Sequence, residues 1–70
     1  MRKGLAIKLR RVELDKKTTH VASSVGISRE YYRLIEAGKA TNPSTEIMKK
    51  IAKELKSDVL TLFFSDEEER

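Results

Sequence analysis

The apolar residues of this chain recur three and four positions apart in short stretches, and each stretch is interrupted before it grows long. That spacing gathers side chains on one face of a helix, whereas a half-buried strand needs alternation. The interruptions fall at Gly4, across Asp15 to Thr18, at Gly26, across Gly38 to Pro43 and at Ser57, where turn-forming residues collect. The expected fold is therefore all-α: five short helices in one compact domain. With 70 residues the chain has room for one core, and a domain of that size buries only about 60% of the surface its unfolded form exposes. No Cys is present to add disulfides or thiolate metal ligands, and the single His20 makes no metal site alone, so helix packing and a partner subunit are left to stabilise it.

The first helix is expected over roughly Lys3 to Leu14, with Ile7 and Leu14 inward and Leu5, Leu9 and Val12 widening the stripe. The second runs from about Thr18 to Val25, with Thr18 or Thr19 capping its start and Val21, Ala22 and Val25 forming its buried face. Gly26 ends it in a left-handed conformation that a β-carbon resists. Ser28 caps a third helix reaching about Ala37, with Tyr32 and Ile35 inward and Arg29, Glu30 and Arg33 outward. A fourth begins near Ser44 and carries the clearest stripe, Ile47, Met48, Ile51, Ala52 and Leu55. Ser57 is expected to cap a fifth helix, with Asp58 complementing its dipole. Val59, Leu60, Leu62, Phe63 and Phe64 then offer more apolar surface than one face of so short a helix can bury, which suggests that part of it meets another subunit. Residues 1–64 are read as the domain, and 65–70 as a solvated acidic tail.

Charge is divided unevenly. Residues 1–35 hold nine Lys or Arg against three acids, a net of +6, while residues 36–70 hold six against eight, a net of −2. A basic half joined to a mildly acidic half suits a molecule that turns one face to a polyanion.

The break at Gly26 joins two short helices, and the helix before it offers the small Ala22 where a steeply crossing neighbour must come close. Such a unit can hold its second helix out from the body, where it fits the major groove of B-DNA. The ordered set Val21-Ala22-x-x-Val25-Gly26-Ile27-Ser28, Tyr32-x-x-Ile35-Glu36-x-Gly38-Lys39, Asn42-Pro43-Ser44 and Ile51-Ala52-x-x-Leu55 resembles the Cro/repressor-type helix-turn-helix family of phage repressors and xenobiotic-response-element-like bacterial regulators. The resemblance spans about Ile7 to Phe63. It implies a five-helix, lambda-repressor-like domain whose third helix reads double-stranded DNA, in a small transcriptional regulator of the repressor kind that works as a homodimer.

Carried over by position, the base-reading face falls on Arg29, Glu30 and Arg33, with Leu34 at its margin. Arg can donate two hydrogen bonds to guanine O6 and N7, and Glu can accept from the N4 amine of cytosine. Alternatively, Glu30 pairs with Arg33 or positions Arg29. Phosphate contacts are implied for Lys17, Thr18 and Thr19 at the start of the second helix, for Lys39, Thr41 and Asn42 after the third, and for Ser28 and the Tyr31 hydroxyl. Arg10 is a further candidate. Arg11 and Glu36 occupy positions that form a largely buried ion pair in the phage repressors. Val59, Leu62, Phe63 and Phe64 are the expected dimer or partner surface. Lys16 stands where the family usually has an aliphatic residue, Thr18 replaces a frequent Gln, and the loop carrying Thr41 and Asn42 is one residue longer than is common.

Enzymatic chemistry has little to work with. There is no His beside paired carboxylates, no nucleophile with a base at usable spacing and no phosphate-cradling Gly-rich loop. No cofactor, metal or small-molecule ligand is expected. No apolar run approaches the roughly 18 residues of a membrane span, and the reading is of a cytoplasmic protein. The competing reading is an antitoxin or adaptor whose apolar C-terminal helix holds a second protein, with DNA binding secondary.

Overall fold

The computed structural model describes residues 4–40 and 43–64. Thr41, Asn42 and the acidic stretch 65–70 lie outside the described residues. Five helices are found and no strand among those residues: α1 (Leu5–Glu13), α2 (Thr18–Val25), α3 (Arg29–Glu36), α4 (Thr45–Glu54) and α5 (Val59–Phe64). α2 packs on α3 and α4, α1 crosses α3, and α5 lies against α1 and α4. The core that results is Ile7, Val21, Ala22, Val25, Tyr32, Ile35, Ile51, Ala52, Leu55 and Leu62, so every helix contributes to it.

Two helix starts follow the expected chemistry. Ser28 Oγ accepts from the Tyr31 amide at 3.0 Å and Ser44 Oγ from the Ile47 amide at 3.1 Å, each satisfying a donor that the first turn leaves open. Two others differ. The residue capping α2 is Lys17, in extended conformation and with no side-chain cap, so neither Thr18 nor Thr19 caps it; both already lie within the helix. At α5 the cap is Asp58 rather than Ser57: its carboxylate accepts from the Thr61 amide at 3.0 Å and from the Thr61 hydroxyl at 2.8 Å. Those bonds, the amide first, hold the Asp58 carboxyl below its ordinary range.

α1 buries less of its apolar surface than its composition suggests. Ile7 is buried and Leu14 packs against the core, but Leu9 and Val12 are 54% and 56% exposed. Leu9 and Val12 project away from Ile7 on the helix, and the flanks facing the body are taken by arginines. Arg10 Nε donates to the Leu55 carbonyl at 2.9 Å and Nη2 to the Lys56 carbonyl at 3.1 Å, which ties α1 to the end of α4. Arg10 is thus committed to carbonyls of its own chain rather than free for a phosphate. At the other end of α1, Gly4 has φ +90°, and a β-carbon there would collide with the Ile35 and Glu36 carbonyls. Glycine lets the start of α1 rest on the end of α3.

The fifth helix requires one correction to the expected outer surface. Leu62 is 3% exposed and belongs to the core, because it is the α5 side chain aimed between α1 and α4. Val59 and Phe63 are half-buried against that core, and the residues that project are Leu60 and Phe64.

Candidate nucleic-acid interface

Three residues, Gly26, Ile27 and Ser28, separate α2 from α3. Gly26 adopts φ +92°, and the amides of Gly26 and Ile27 both donate to the Ala22 carbonyl, closing α2 and turning the chain sharply. Ile27 folds back on the core, and Ala22 is buried where the helices meet. α3 is thereby fixed along one side by Tyr32, Ile35 and Glu36, all buried, while its other side is left outward.

That outward side carries Arg29, Glu30, Arg33 and Leu34, all exposed. None of the three charged residues makes an ion pair with a described residue, so Glu30 is engaged with neither Arg33 nor Arg29. Among the described residues their donors and acceptors have no ion-pair partner. Two open clefts flank the helix and share Arg33 and Ala37. One is lined also by Lys8, Arg11, Thr18 and Glu36; the other by Glu30, Leu34 and Lys39.

Beneath the first cleft Arg11 and Glu36 meet, with Nε to Oε2 at 2.6 Å and Nη2 to Oε1 at 3.2 Å, a two-pronged pair between α1 and α3. The remaining Arg11 Nη1 donates to the Lys16 carbonyl at 2.9 Å. This pairing, first through the Glu36 hydrogen bond, makes the guanidinium hold its proton more tightly than a free one. Tyr32 lies beside it in the core with its hydroxyl unpartnered, and burial first, then Glu36, keeps that phenol protonated well above its usual range. The cluster aims no free charge at solvent. Its consequence is the angle at which α1 braces α3.

The candidate phosphate contacts are distributed unevenly. Lys17 and Thr19 are exposed at the start of α2, and Thr18 is half-buried in the first cleft. Ser28 uses its oxygen as an acceptor in the cap, leaving its hydroxyl hydrogen free. Tyr31 is half-buried against the core, and Lys39 is exposed in the second cleft. Thr41 and Asn42 lie outside the described residues. Sequence reasoning missed Lys8, although it sits three residues before Arg11 and so on the same side of α1. It also missed why Lys16 is tolerated in place of an aliphatic residue: its ammonium reaches Glu54 at 3.1 Å, with His20 Nε2 at 3.4 Å from the same oxygen. His20 is otherwise outward, as its place on α2 suggested.

A helix-turn-helix family model matches residues 7–62, most of the chain. No curated protein matches. Among solved structures, a complex of the SinR and SinI proteins superposes with a TM-score of 0.81 at 31% identity, covering 93% of this chain and 63% of that one. The N-terminal DNA-binding domain of SinR from Bacillus subtilis gives 0.76 at 32% identity, over 84% of this chain and 86% of that one. SinR bound to DNA, described as the master regulator for biofilm formation, gives 0.76 at 32%, over 84% and 94%. The chain therefore spans less than two thirds of the matched chain in the first of these and nearly all of the matched chain in the last. With α2, its turn and α3 lying inside the matched region, the chain belongs to the Cro/repressor-type helix-turn-helix family of DNA-binding transcription regulators.

Proposed function

We propose that this protein binds specific double-stranded DNA sequences as a small cytoplasmic repressor, with α3 lying in the major groove. The observation that carries this reading is the outward side of α3. Arg29, Glu30, Arg33 and Leu34 are exposed together on a helix whose opposite side is locked into the core. In this reading Arg29 and Arg33 address guanine edges, Glu30 accepts from cytosine, and Leu34 touches the margin. Lys17, Thr18, Thr19, Ser28, Tyr31, Lys39, Thr41 and Asn42 hold the backbone. Each bidentate Arg contact discriminates by about 1–3 kcal/mol. The SinR structure bound to DNA supports the mode of action, since that relative shares about a third of its residues with this chain.

The operator is an inverted repeat bound by a homodimer, and a repressor needs only to occupy it. The adaptor reading has lost part of its basis, because Leu62 is spent inside the domain and Val59 and Phe63 are half-covered. Selection of bound fragments from a random DNA pool, at two salt concentrations, tests the proposal directly. The wild-type protein should return a single G·C-containing consensus. Arg29→Ala and Arg33→Ala should each relax one position of it and weaken binding on the order of 5- to 150-fold. A pool that stays random, or a consensus untouched by both substitutions, rules out base reading by α3.

A further inference from the structure

The helix-turn-helix unit does not contain every cation that stands beside α3. Lys8, on α1, is exposed, pairs with no described residue and lines the same cleft as Thr18 and Arg33. We propose that Lys8 is a backbone contact, gripping the DNA strand that borders one side of the major groove while Lys39 grips the strand that borders the other. The inference rests on the proposed seating of α3 in that groove.

The argument is one of position and of charge by elimination. Arg33 lines both clefts, so the outer side of α3 is a ridge with a trough on either flank. A helix lying in the major groove, about 12 Å wide, has one phosphate backbone on each flank in the same way. The trough with Lys39 is lined also by the acceptor Glu30, and among its described residues Lys39 is the cation left for a phosphate if Arg33 reads bases. In the other trough three cations are present. Arg11 is neutralised by the two-pronged bond to Glu36, and Arg33 is on the ridge itself. Among the described residues Lys8 is what remains. Thr18 adds a hydroxyl beside it, and the first-turn amides of α2 are not taken up by a side-chain cap at Lys17.

Lys8→Gln keeps the helix and removes the charge; Lys39→Gln does the same on the other flank, and Lys53→Gln, which lines neither cleft, is the control. Three readouts are taken on the operator selected by the wild type: affinity against salt, interference by phosphate ethylation on each strand, and the selected consensus. Lys8→Gln should lower the steepness of the log–log salt dependence by about 0.9, so that a fourfold rise in salt costs about 3.5-fold less affinity than it costs the wild type. It should abolish ethylation interference at one strand's edge, Lys39→Gln at the opposite strand's, and neither should alter the consensus. The assignment of Lys8 is overturned if its variant matches the wild type and the Lys53 control in salt dependence, or loses interference on the same strand as Lys39→Gln, or changes the consensus. A wild-type protein that selects no sequence defeats the underlying reading instead, and is recognised before any lysine is changed.

Discussion

Arg10 and Arg11 are adjacent, identical in type and almost unrelated in what they do. One turns its guanidinium to the carbonyls ending α4, the other to the Glu36 carboxylate, because neighbours on a helix point about 100° apart. Composition could not separate them; only the resemblance to phage repressors singled out Arg11 and Glu36, and nothing local marks Glu36 as the acid that is buried. Their side chains are 14% and 8% exposed, so removing one partner leaves a charge with little water to recover it. Arg11→Ala should therefore cost roughly 3–5 kcal/mol. A domain of this size shifts its thermal midpoint by about 4–8 °C per kcal/mol, so the variant should melt at least 12 °C lower. Replacing both partners together, Arg11→Met with Glu36→Leu, should restore most of that loss, since the desolvation cost disappears with the charges. Thermal unfolding of the three proteins followed by circular dichroism decides it. A single variant that melts within a few degrees of the wild type would show that the pair does not brace α3 against α1.

Helix ends show which parts of the element pattern are written locally. Gly26 and Gly38 announced the ends of α2 and α3, and the serines before α3 and α4 announced their starts. The ends of α1 and α4 carry no glycine, yet they close in the same way. Lys16 donates to the Arg11 carbonyl and Asp15 to Val12, as Ser57 donates to Ala52 and Lys56 to Lys53. Both depend on one residue in left-handed conformation, Asp15 at φ 59° and Lys56 at φ 54°. Asp tolerates this through its short polar side chain, whereas Lys has no such compensation. Tertiary contact overrides local preference here, with Arg10 holding the Leu55 and Lys56 carbonyls in place. The left-handed conformation costs a residue with a β-carbon roughly 1–2 kcal/mol, and a glycine returns about 0.4–1 kcal/mol of that as extra freedom in the unfolded chain. Lys56→Gly should consequently raise stability by on the order of 0.5–1 kcal/mol, readable as a higher urea midpoint at unchanged slope. A lower midpoint would mean that the lysine side chain contributes more than its backbone conformation costs.

At the scale of the molecule, the uneven charge of the sequence does resolve into a basic side, because Lys8, Arg29, Arg33 and Lys39 gather around α3. The size of the reading surface was less legible. α3 has eight residues and so is about 12 Å long, enough to span roughly four base-pair steps. So short a contact cannot distinguish one site in a genome, and a second copy doubles what is read. A twofold pair would set its α3 helices in successive major grooves about 34 Å apart. Of the apolar residues expected to join the copies, Leu62 is inside and Val59 and Phe63 are half-buried, which leaves Phe64, 40% exposed on α5, with Leu60 beside it at 64%. If these join two copies, Leu60→Glu with Phe64→Glu should convert the dimer to a monomer in light scattering without lowering the helix content. Affinity for the full inverted repeat should then fall by about a hundredfold or more, the advantage of linking two sites, while affinity for a duplex carrying one half-site stays as it was. The monomer is the informative control, since it retains α3 and both of its flanking clefts. A wild type that scatters as a monomer and binds one half-site as tightly as two would leave α5 with no part in DNA recognition, and would require the specificity to come from a single domain.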